Sequence, residues 1–266
     1  MNNMMIIKRH NDAGLGSNIV TMLESCEDLN RKNMLHNNDG SCKEIYFDFR
    51  TSCYNGFNIS SLLVNDSQSK FQDKPLIKWY RIGDWYDNFD NRNQYILNQI
   101  NREKYHLENF LKIKPELYES DKILIDRYDL KNHIAVYFRG SDKKTESRRN
   151  NINDYVKVIK ILDDKILSSG DKIIRKLYIQ SDEQWFYTEM RKIFGNRITD
   201  ITLFSRGNGT PLHYMGQSAL ETFSIMNCLA STPYLICCRS NVSHVAIILR
   251  PDGLENTYYV EDYLNV

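Results

Sequence analysis

The first 125 residues alternate between short apolar runs and segments of helical periodicity. Residues 4–8 and 44–49 are apolar runs with β-branched and aromatic side chains, which predicts two short strands. Between them, a glycine turn at 14–17 leads into an apolar pattern of helical period that extends to about residue 29. The same period returns at 91–110, so the pattern predicts a strand, a turn, a helix and a second strand, followed by further helices.

From residue 133 onward, predicted strands and helices alternate more regularly. Strands are expected at 133–138, 176–180, 197–203 and 234–237, and helices at 154–167, 183–194, 214–229 and 241–249. Such alternation is typical of right-handed βαβ crossovers around a parallel sheet, so the predicted fold class is α/β. The tail at 254–266 carries three tyrosines and is expected to pack back onto the body, or to cross to the N-terminal part.

Length and charge limit the classes of function. A chain of 266 residues, 41% hydrophobic and 26% charged, is expected to fold and to divide into two domains, which we place at 1–125 and 126–266. Lysine and arginine (35) nearly balance aspartate and glutamate (34), so we expect no nucleic-acid partner. No apolar run approaches the ~20 residues needed to span a bilayer, and we expect a cytoplasmic protein without a membrane span.

The six cysteines show no CxxC pair, and Cys237 and Cys238 are adjacent. This spacing suits neither a zinc site nor a disulfide framework. We therefore expect reduced thiols in the core and no metal site.

Four segments that follow predicted strands carry the candidate chemistry. In an open parallel sheet, ligands bind beyond the carboxyl ends of the strands. Three of these segments contain an arginine, and the last begins a helix whose N–H groups, together with Ser240, are suited to phosphate; the segments are 139–146, 181–183, 204–213 and 239–243. Such residues are also common in solvated loops. The prediction of a diphosphate site therefore depends on the convergence of the four segments.

The segment Ile134-Ala-Val-Tyr-Phe-Arg-Gly-Ser-Asp-Lys143 resembles the strand-to-loop motif of the GDP-fucosyltransferase superfamily, which includes nodulation-factor, α1,6- and protein O-fucosyltransferases. Leu177-Tyr-Ile-Gln-Ser-Asp182 is similar to the strand of that family that ends in Thr/Ser-Asp. The order of Ser218-Ala-Leu-Glu, Tyr234-Leu-Ile and Ser240-Asn-Val-Ser resembles its final helix, strand and nucleotide loop. Because Gly14-Leu-Gly-Ser is similar to its opening glycine turn, the resemblance spans most of the chain.

The resemblance implies a GT-B-like architecture, with two Rossmann-like domains whose parallel sheets face a cleft. The donor would bind the C-terminal domain and the acceptor mainly the N-terminal one. The implied function is that of an inverting, metal-independent glycosyltransferase, which transfers fucose from GDP-fucose to a glycan or another hydroxyl acceptor. The implied reaction uses no cofactor besides this donor substrate. The sequence also lacks an Asp-x-Asp element after a strand, and arginine can supply the charge neutralisation that Mg²⁺ would give.

Carried over residue by residue, the resemblance assigns the diphosphate contacts. Arg139 matches the arginine that binds the β-phosphate and stabilises the departing GDP. Asp142 and Lys143 match the Asp-Lys of the motif, where the first would orient the loop and the second add positive charge. Ser240 and Asn241 match the pair that hydrogen-bonds the diphosphate.

Further donor-site candidates have more than one interpretation. Asp182 would either anchor a loop or accept a hydrogen bond from guanine. Glu146 is the candidate general base, and it is equally well read as a solvated loop glutamate. Arg206 and His213 share the third segment and would line the cleft, although a lone histidine is more often structural. Gly14 would lie at the cleft through the opening turn.

Three positions depart from the family pattern. Tyr137, which is also a donor-site candidate, stands where many relatives have a histidine near the nucleotide, and Gly140 stands where the α1,6 enzymes have a second arginine. Ser224 lies close to the position of an acidic residue in the late helix, with Glu221 one turn earlier. Two alternatives therefore remain open: a GT-B transferase that uses another nucleotide sugar, and a catalytically degenerate protein that binds a nucleotide or a glycan.

Overall fold

The computed structural model describes residues 5–8, 15–36, 45–48, 94–111, 113–140, 151–171, 173–201, 204, 207 and 219–263. Two parallel sheets lie in this part of the chain, one of two strands and one of five. No helix in these ranges is long and apolar enough to cross a membrane.

The five-stranded sheet is the centre of the fold. It consists of β3 (His133–Phe138), β4 (Lys176–Ser181), β5 (Ile198–Thr199), β6 (Tyr234–Cys237) and β7 (Thr257–Tyr259), in the order β5-β4-β3-β6-β7. All its strands are parallel. From β3 the chain proceeds outward through β4 to β5, then returns to place β6 on the other side of β3. The strand order therefore reverses between β3 and β6.

Helices cover both faces of this sheet. On one face, Ile134, Val136 and Phe138 of β3 pack against helices α4 (Ile152–Ser168) and α5 (Gln184–Phe194). On the other face, Ala135 and Tyr137 pack against helices α6 (Ala219–Ala230) and α7 (Asn241–Leu249). Every residue of β3 is buried, as expected for the central strand of a parallel sheet that is covered on both sides.

The N-terminal elements begin with a βαβ unit. Strands β1 (Met5–Lys8) and β2 (Ile45–Asp48) pair in parallel, and α1 (Leu15–Arg31) connects them in sequence. Helix α2 (Gln94–His106) continues into one π-helical turn at Leu107–Leu111, and α3 (Pro115–Arg127) begins with a proline in its first turn, where the missing N–H has no intrahelical partner to lose.

One hydrophobic core joins these N-terminal helices to α6 and α7. Leu23 of α1 and Phe110 of the π turn share it with Phe223 and Met226 of α6 and Val245 of α7. The described helices on either side of residue 125 are therefore packed together. The division into 1–125 and 126–266 stays a prediction.

The predicted elements differ from the structure mainly at the edges of the large sheet. Strand β5, expected over 197–203, pairs only at Ile198–Thr199 within the described residues. The tail packs back onto the body as expected, but it does so as strand β7, which pairs with β6 and which the sequence pattern did not predict. Cys26, Cys228, Cys237 and Cys238 are buried free thiols as predicted, whereas Cys42 and Cys53 lie outside the described residues.

Gly16 offers a test of how closely α1 and α7 approach each other. A Cβ at this position would lie 3.0 Å from both the carbonyl carbon of Asn241 and the backbone nitrogen of Val242. We expect Gly16→Ala to lower the free energy of unfolding by about 1–3 kcal/mol through overpacking, measured by urea denaturation. The control Asn30→Ala, on the same helix, should change it by less than about 0.5 kcal/mol. Because Ala is the better helix former, its propensity offsets part of this cost, and a Gly16→Ala protein more stable than the wild type would contradict the close contact.

Candidate functional site

Three predicted site residues follow neighbouring strands at the same edge of the large sheet. Arg139 follows β3 directly, and Ser240 and Asn241 follow β6. Tyr137 and Cys237 are register partners in these two strands, so the segments that follow leave the sheet side by side. The strand order reverses between β3 and β6, and parallel sheets bind ligands at such a switch point.

Arg139 is held by a buried carboxylate from the adjacent strand. Its Nε lies 3.4 Å from Oδ2 of Asp182, which follows β4 and is 3% exposed. The other carboxylate oxygen, Oδ1, accepts the backbone N–H of Gly140 at 2.9 Å. The guanidinium and the first turn of the loop after β3 are thus fixed by one side chain. Of the two interpretations of Asp182, this geometry favours the loop anchor.

Tyr137 lies beneath this arginine on the same strand face. Its hydroxyl hydrogen-bonds the Arg139 side chain, and burial raises the pKa of the phenol well above its usual value, which the Arg139 charge only partly opposes. Tyr137 therefore stays neutral at physiological pH. In this chain it acts as a support for Arg139, at a position where the resemblance led us to expect a contact with the nucleotide.

Gly140 is a buried position with no room for a side chain. A Cβ there would lie 2.6 Å from the ring of Phe138 and 2.7 Å from Cγ of Glu183. The second arginine that the α1,6 enzymes carry at this position would not fit here without displacing both neighbours.

Glu183 is a buried carboxylate at this edge that the sequence analysis did not select. It is 3% exposed, and although it precedes the first residue of α5, its side chain makes no capping hydrogen bond. Its side chain packs against Gly140 instead. An acidic residue at the start of a helix is ordinarily explained by the helix dipole, so no sequence signal distinguished this one.

Ser240 acts as the N-cap of α7. Its Oγ accepts the backbone N–H of Ser243 at 3.1 Å and lies 2.9 Å from the Ser243 Oγ. Because the Ser243 hydroxyl donates its own proton to the Cys238 carbonyl at 2.6 Å, the Ser240 hydroxyl must donate to Ser243. Its only proton is therefore used within the cap. The predicted direct contact with a diphosphate would require this hydroxyl to rotate.

The first turns of α1 and α7 lie against each other next to this cap. Gly16 faces the backbone of Asn241 and Val242. Neither first turn contains an acidic residue, so neither helix neutralises the positive end of its own dipole. The half-buried Asn241 thus lies where two helix starts meet, at the edge of the sheet that carries Arg139.

Arg239 is one of the three arginines on which the prediction of a diphosphate site was based, but its side chain pairs with other residues of the fold. Its guanidinium pairs with Asp262 at 2.7 Å and lies 5.6 Å from the centre of the Tyr259 ring. Its backbone N–H donates to Glu261 at 3.0 Å. These contacts bind the segment after β6 to the turn after β7, so Arg239 is a structural residue.

Ser224 in α6 contacts Asp121, a buried acidic residue of α3. Its side chain hydrogen-bonds Asp121, which also accepts from Nδ2 of Asn227 at 3.0 Å. Burial raises the pKa of the Asp121 carboxyl, and these hydrogen bonds oppose the rise. Ser224, which lies close to the predicted position of an acidic residue, is thus paired with a carboxylate from a different helix.

The remaining candidates lie outside the described residues: Gly14, Asp142, Lys143, Glu146, Arg206 and His213. Their placement at the site stays a prediction. Among the residues that are described, no group of three or more His, Cys, Asp and Glu side chains could hold a metal ion.

Solved fucosyltransferase structures share this fold. NodZ alpha-1,6-fucosyltransferase co-crystallised with GDP aligns with a TM-score of 0.52 and 12% identity, over 94% of this chain and 93% of that one. NodZ soaked with GDP-fucose aligns with a TM-score of 0.52 and 14% identity, over 94% of both chains.

No protein-family model and no curated protein sequence matches the chain. The structural alignment nevertheless covers almost the whole of both aligned chains, and the predicted α/β fold of GT-B type is confirmed. The similarity to fucosyltransferases that the sequence motifs indicated therefore holds at the level of the fold.

Removing the Asp182 carboxylate tests whether it supports the site. Asp182→Ala leaves the Gly140 N–H unsatisfied and removes the ion pair with Arg139, so we expect the free energy of unfolding to fall by about 2–4 kcal/mol. Asp182→Asn should cost less, because its amide oxygen can still accept from Gly140. Asp126→Ala, which removes an exposed ion pair with Lys131, is the control and should cost less than about 0.5 kcal/mol in the same urea titration. Similar losses in Asp182→Ala and the control would contradict the anchoring role.

Proposed function

We propose that the chain is an inverting glycosyltransferase that transfers fucose from GDP-fucose to a hydroxyl group of a glycan or of another acceptor. One observation carries the proposal: Arg139 lies at the switch point between β3 and β6, held in place by the buried Asp182. A guanidinium fixed before the ligand arrives loses little conformational entropy on binding.

The chemistry of this edge suits a diphosphate. The planar guanidinium can present two parallel N–H groups to two phosphate oxygens, a geometry that lysine lacks. The adjoining first turns of α1 and α7 add the positive ends of two helix dipoles. In this proposal Ser240 contributes by capping α7 and so orienting its first turn, and Asn241 contributes at the start of the helix.

The choice of donor is supported by the fold and by the motifs. NodZ, which has the same fold, is an alpha-1,6-fucosyltransferase that was crystallised with GDP and soaked with GDP-fucose. The Arg139 loop and the segment after β6 resemble the donor-binding motifs of the same superfamily. The acceptor is proposed only as a hydroxyl compound.

Inversion requires two groups on opposite sides of the anomeric carbon. On one side, Arg139 neutralises the negative charge that develops on GDP as the bond between C1 of fucose and the phosphate oxygen breaks. Lys143 adds further positive charge on the same side. On the other side, Glu146 accepts the proton of the acceptor hydroxyl while the hydroxyl oxygen forms its bond to C1. Asp142 orients the loop that carries these residues. Arginine and lysine supply the charge neutralisation, so the proposed reaction requires no metal ion.

Calorimetry with GDP tests the diphosphate site. We expect Arg139→Ala to raise the Kd for GDP about 100-fold, the loss of a charge-assisted, bidentate interaction. Arg139→Lys should restore the affinity only in part. The control is Arg197→Ala, which removes an arginine that directly precedes β5 and pairs with Asp163 of α4, and it should leave the Kd unchanged. Equal GDP affinity in the wild type and Arg139→Ala would overturn the site. Stronger binding of GDP-mannose or UDP-glucose than of GDP-fucose would reassign the donor.

Turnover by Glu146→Gln tests the general base. Loss of the base should lower kcat about 100-fold or more while the Kd for GDP stays unchanged. Fucose transfer and donor hydrolysis are measured in buffer with EDTA, because the proposed reaction uses no metal. A near-normal rate would remove Glu146 from the mechanism. A wild-type protein that binds GDP but neither transfers nor hydrolyses the donor would indicate a binding protein instead of an enzyme.

A further inference from the structure

A buried acid–imidazole pair joins α2 to the first turns of α7. Nε2 of His244 lies 2.6 Å from Oε2 of Glu103, and the two residues are 1% and 3% exposed. The second oxygen of Glu103 accepts Nε2–H of Gln99 at 2.9 Å, so both carboxylate oxygens are engaged. A polar pair buried this deeply has few alternative partners, and its geometry is therefore fixed by the packing around it.

Hydrogen bonds, joined through the residues that make them, connect this pair to β3, the strand that Arg139 follows. The backbone N–H of His244 donates to the Ser240 carbonyl at 2.9 Å, which is the first helical hydrogen bond of α7. The Ser240 and Ser243 hydroxyls then reach the Cys238 carbonyl. The Cys238 N–H donates to the Tyr137 carbonyl at 3.4 Å, two residues before Arg139.

The opposite end of α7 is anchored independently. Arg250, at the C-terminus of the helix, donates to the carbonyls of Thr232 and Pro233 and pairs with Asp252. Lys104, the neighbour of Glu103 on α2, donates to the Arg250 carbonyl at 3.1 Å. A change at His244 therefore acts mainly on the first turns of the helix, since its end keeps these contacts.

We propose that Glu103 and His244 are positioning residues of the donor site: they hold the first turn of α7 beside Arg139 and thereby set the affinity for a nucleoside diphosphate. This inference rests on the proposed function for its ligand. In this proposal the two side chains do not contact the ligand. They fix the first turn of α7 through the hydrogen bond between His244 N–H and the Ser240 carbonyl and through the Ser240 cap.

The chain contains a matched control for this pair. On the same helix α2, His106 lies 3.0 Å from Oε2 of Glu27 in α1, and His106 is also 1% exposed. Glu27 is supported by ion pairs with Arg31 and Arg102, and Glu103 by a hydrogen bond from Gln99. This second acid–imidazole pair joins α1 to α2, whereas the first joins α2 to α7.

The decisive comparison is between Glu103→Gln and Glu27→Gln. Glutamine keeps the size of the side chain but removes its charge and one of its two acceptor oxygens. We expect Glu103→Gln to raise the Kd for GDP about tenfold, since affinity falls in proportion to the fraction of molecules with a competent α7 start. Glu27→Gln should change this Kd by less than about twofold, and both variants should lower Tm. Equal effects of the two variants on the Kd would overturn the proposal and leave both pairs with a structural role only.

Hydrogen exchange tests the positioning without a ligand. In Glu103→Gln, the amides of Ser243 and His244 should exchange about tenfold faster than in the wild type, whereas Glu27→Gln should leave them unchanged. If the wild type does not bind GDP, the proposed donor fails, and the exchange comparison alone decides the positioning role. Equal exchange at these amides in the two variants would overturn it.

A milder pair of variants applies if Glu103→Gln does not fold. Gln99→Ala removes one support of Glu103 and keeps the contact with His244, so it should raise the Kd for GDP and the exchange rates about threefold, by the same population argument. Its control is Arg102→Ala, which removes one support of Glu27. No difference between these two variants in either measurement would contradict the proposal.

Discussion

The proposed site depends on one buried carboxylate, that of Asp182, which contacts both the Arg139 side chain and the backbone N–H of Gly140. Asp182 binds the Arg139 guanidinium with one oxygen and the Gly140 N–H with the other. Removing one member of a buried charge pair costs more than the pair itself contributes, because the remaining charge stays buried without its partner. The direction of Arg139 and the path of the loop after β3 are thus coupled through Asp182, and neither can change alone.

Helix α7 connects this edge to the N-terminal helices. Its first turn is capped by Ser240 and pressed against α1 at Gly16, and its interior faces α2 through His244. Since α6, α7 and the N-terminal helices share one hydrophobic core, the geometry of the proposed donor site is set by elements from both halves of the sequence. The sequence motifs that resemble those of the fucosyltransferases, by contrast, lie mostly in the loops that follow the strands.

The sequence predicted the central elements well and the edges poorly, for physical reasons. Strands β3 and β6 and helix α7 have the bounds that their apolar runs and flanking polar residues indicated. Strand β7 has only three residues, too few to show a period, and its pairing with β6 is a tertiary contact.

The candidate site shows the same limit. The serine before α7 is compatible with both a helix cap and a phosphate contact; the hydrogen bonds with Ser243 show the cap, and the phosphate contact stays a prediction. The ion pair between Arg239 and Asp262 and the burial of Glu183 also depend on contacts between distant segments. Position in the chain predicted that the residues after β3, β4 and β6 share one edge of the sheet, but not which of their side chains are already engaged.

The packing of α1 against α6 and α7 has a consequence for synthesis of the chain. The apolar face of α1, which includes Leu15, Ile19 and Leu23, meets these two partners only after about 200 further residues have been made, roughly 10–40 s at 5–20 residues per second. During that interval the part of the α1 surface that α6 and α7 later cover is exposed in the nascent chain. The same contact that brings the two helix starts together thus makes the emerging polypeptide a candidate client for chaperones that bind exposed apolar segments.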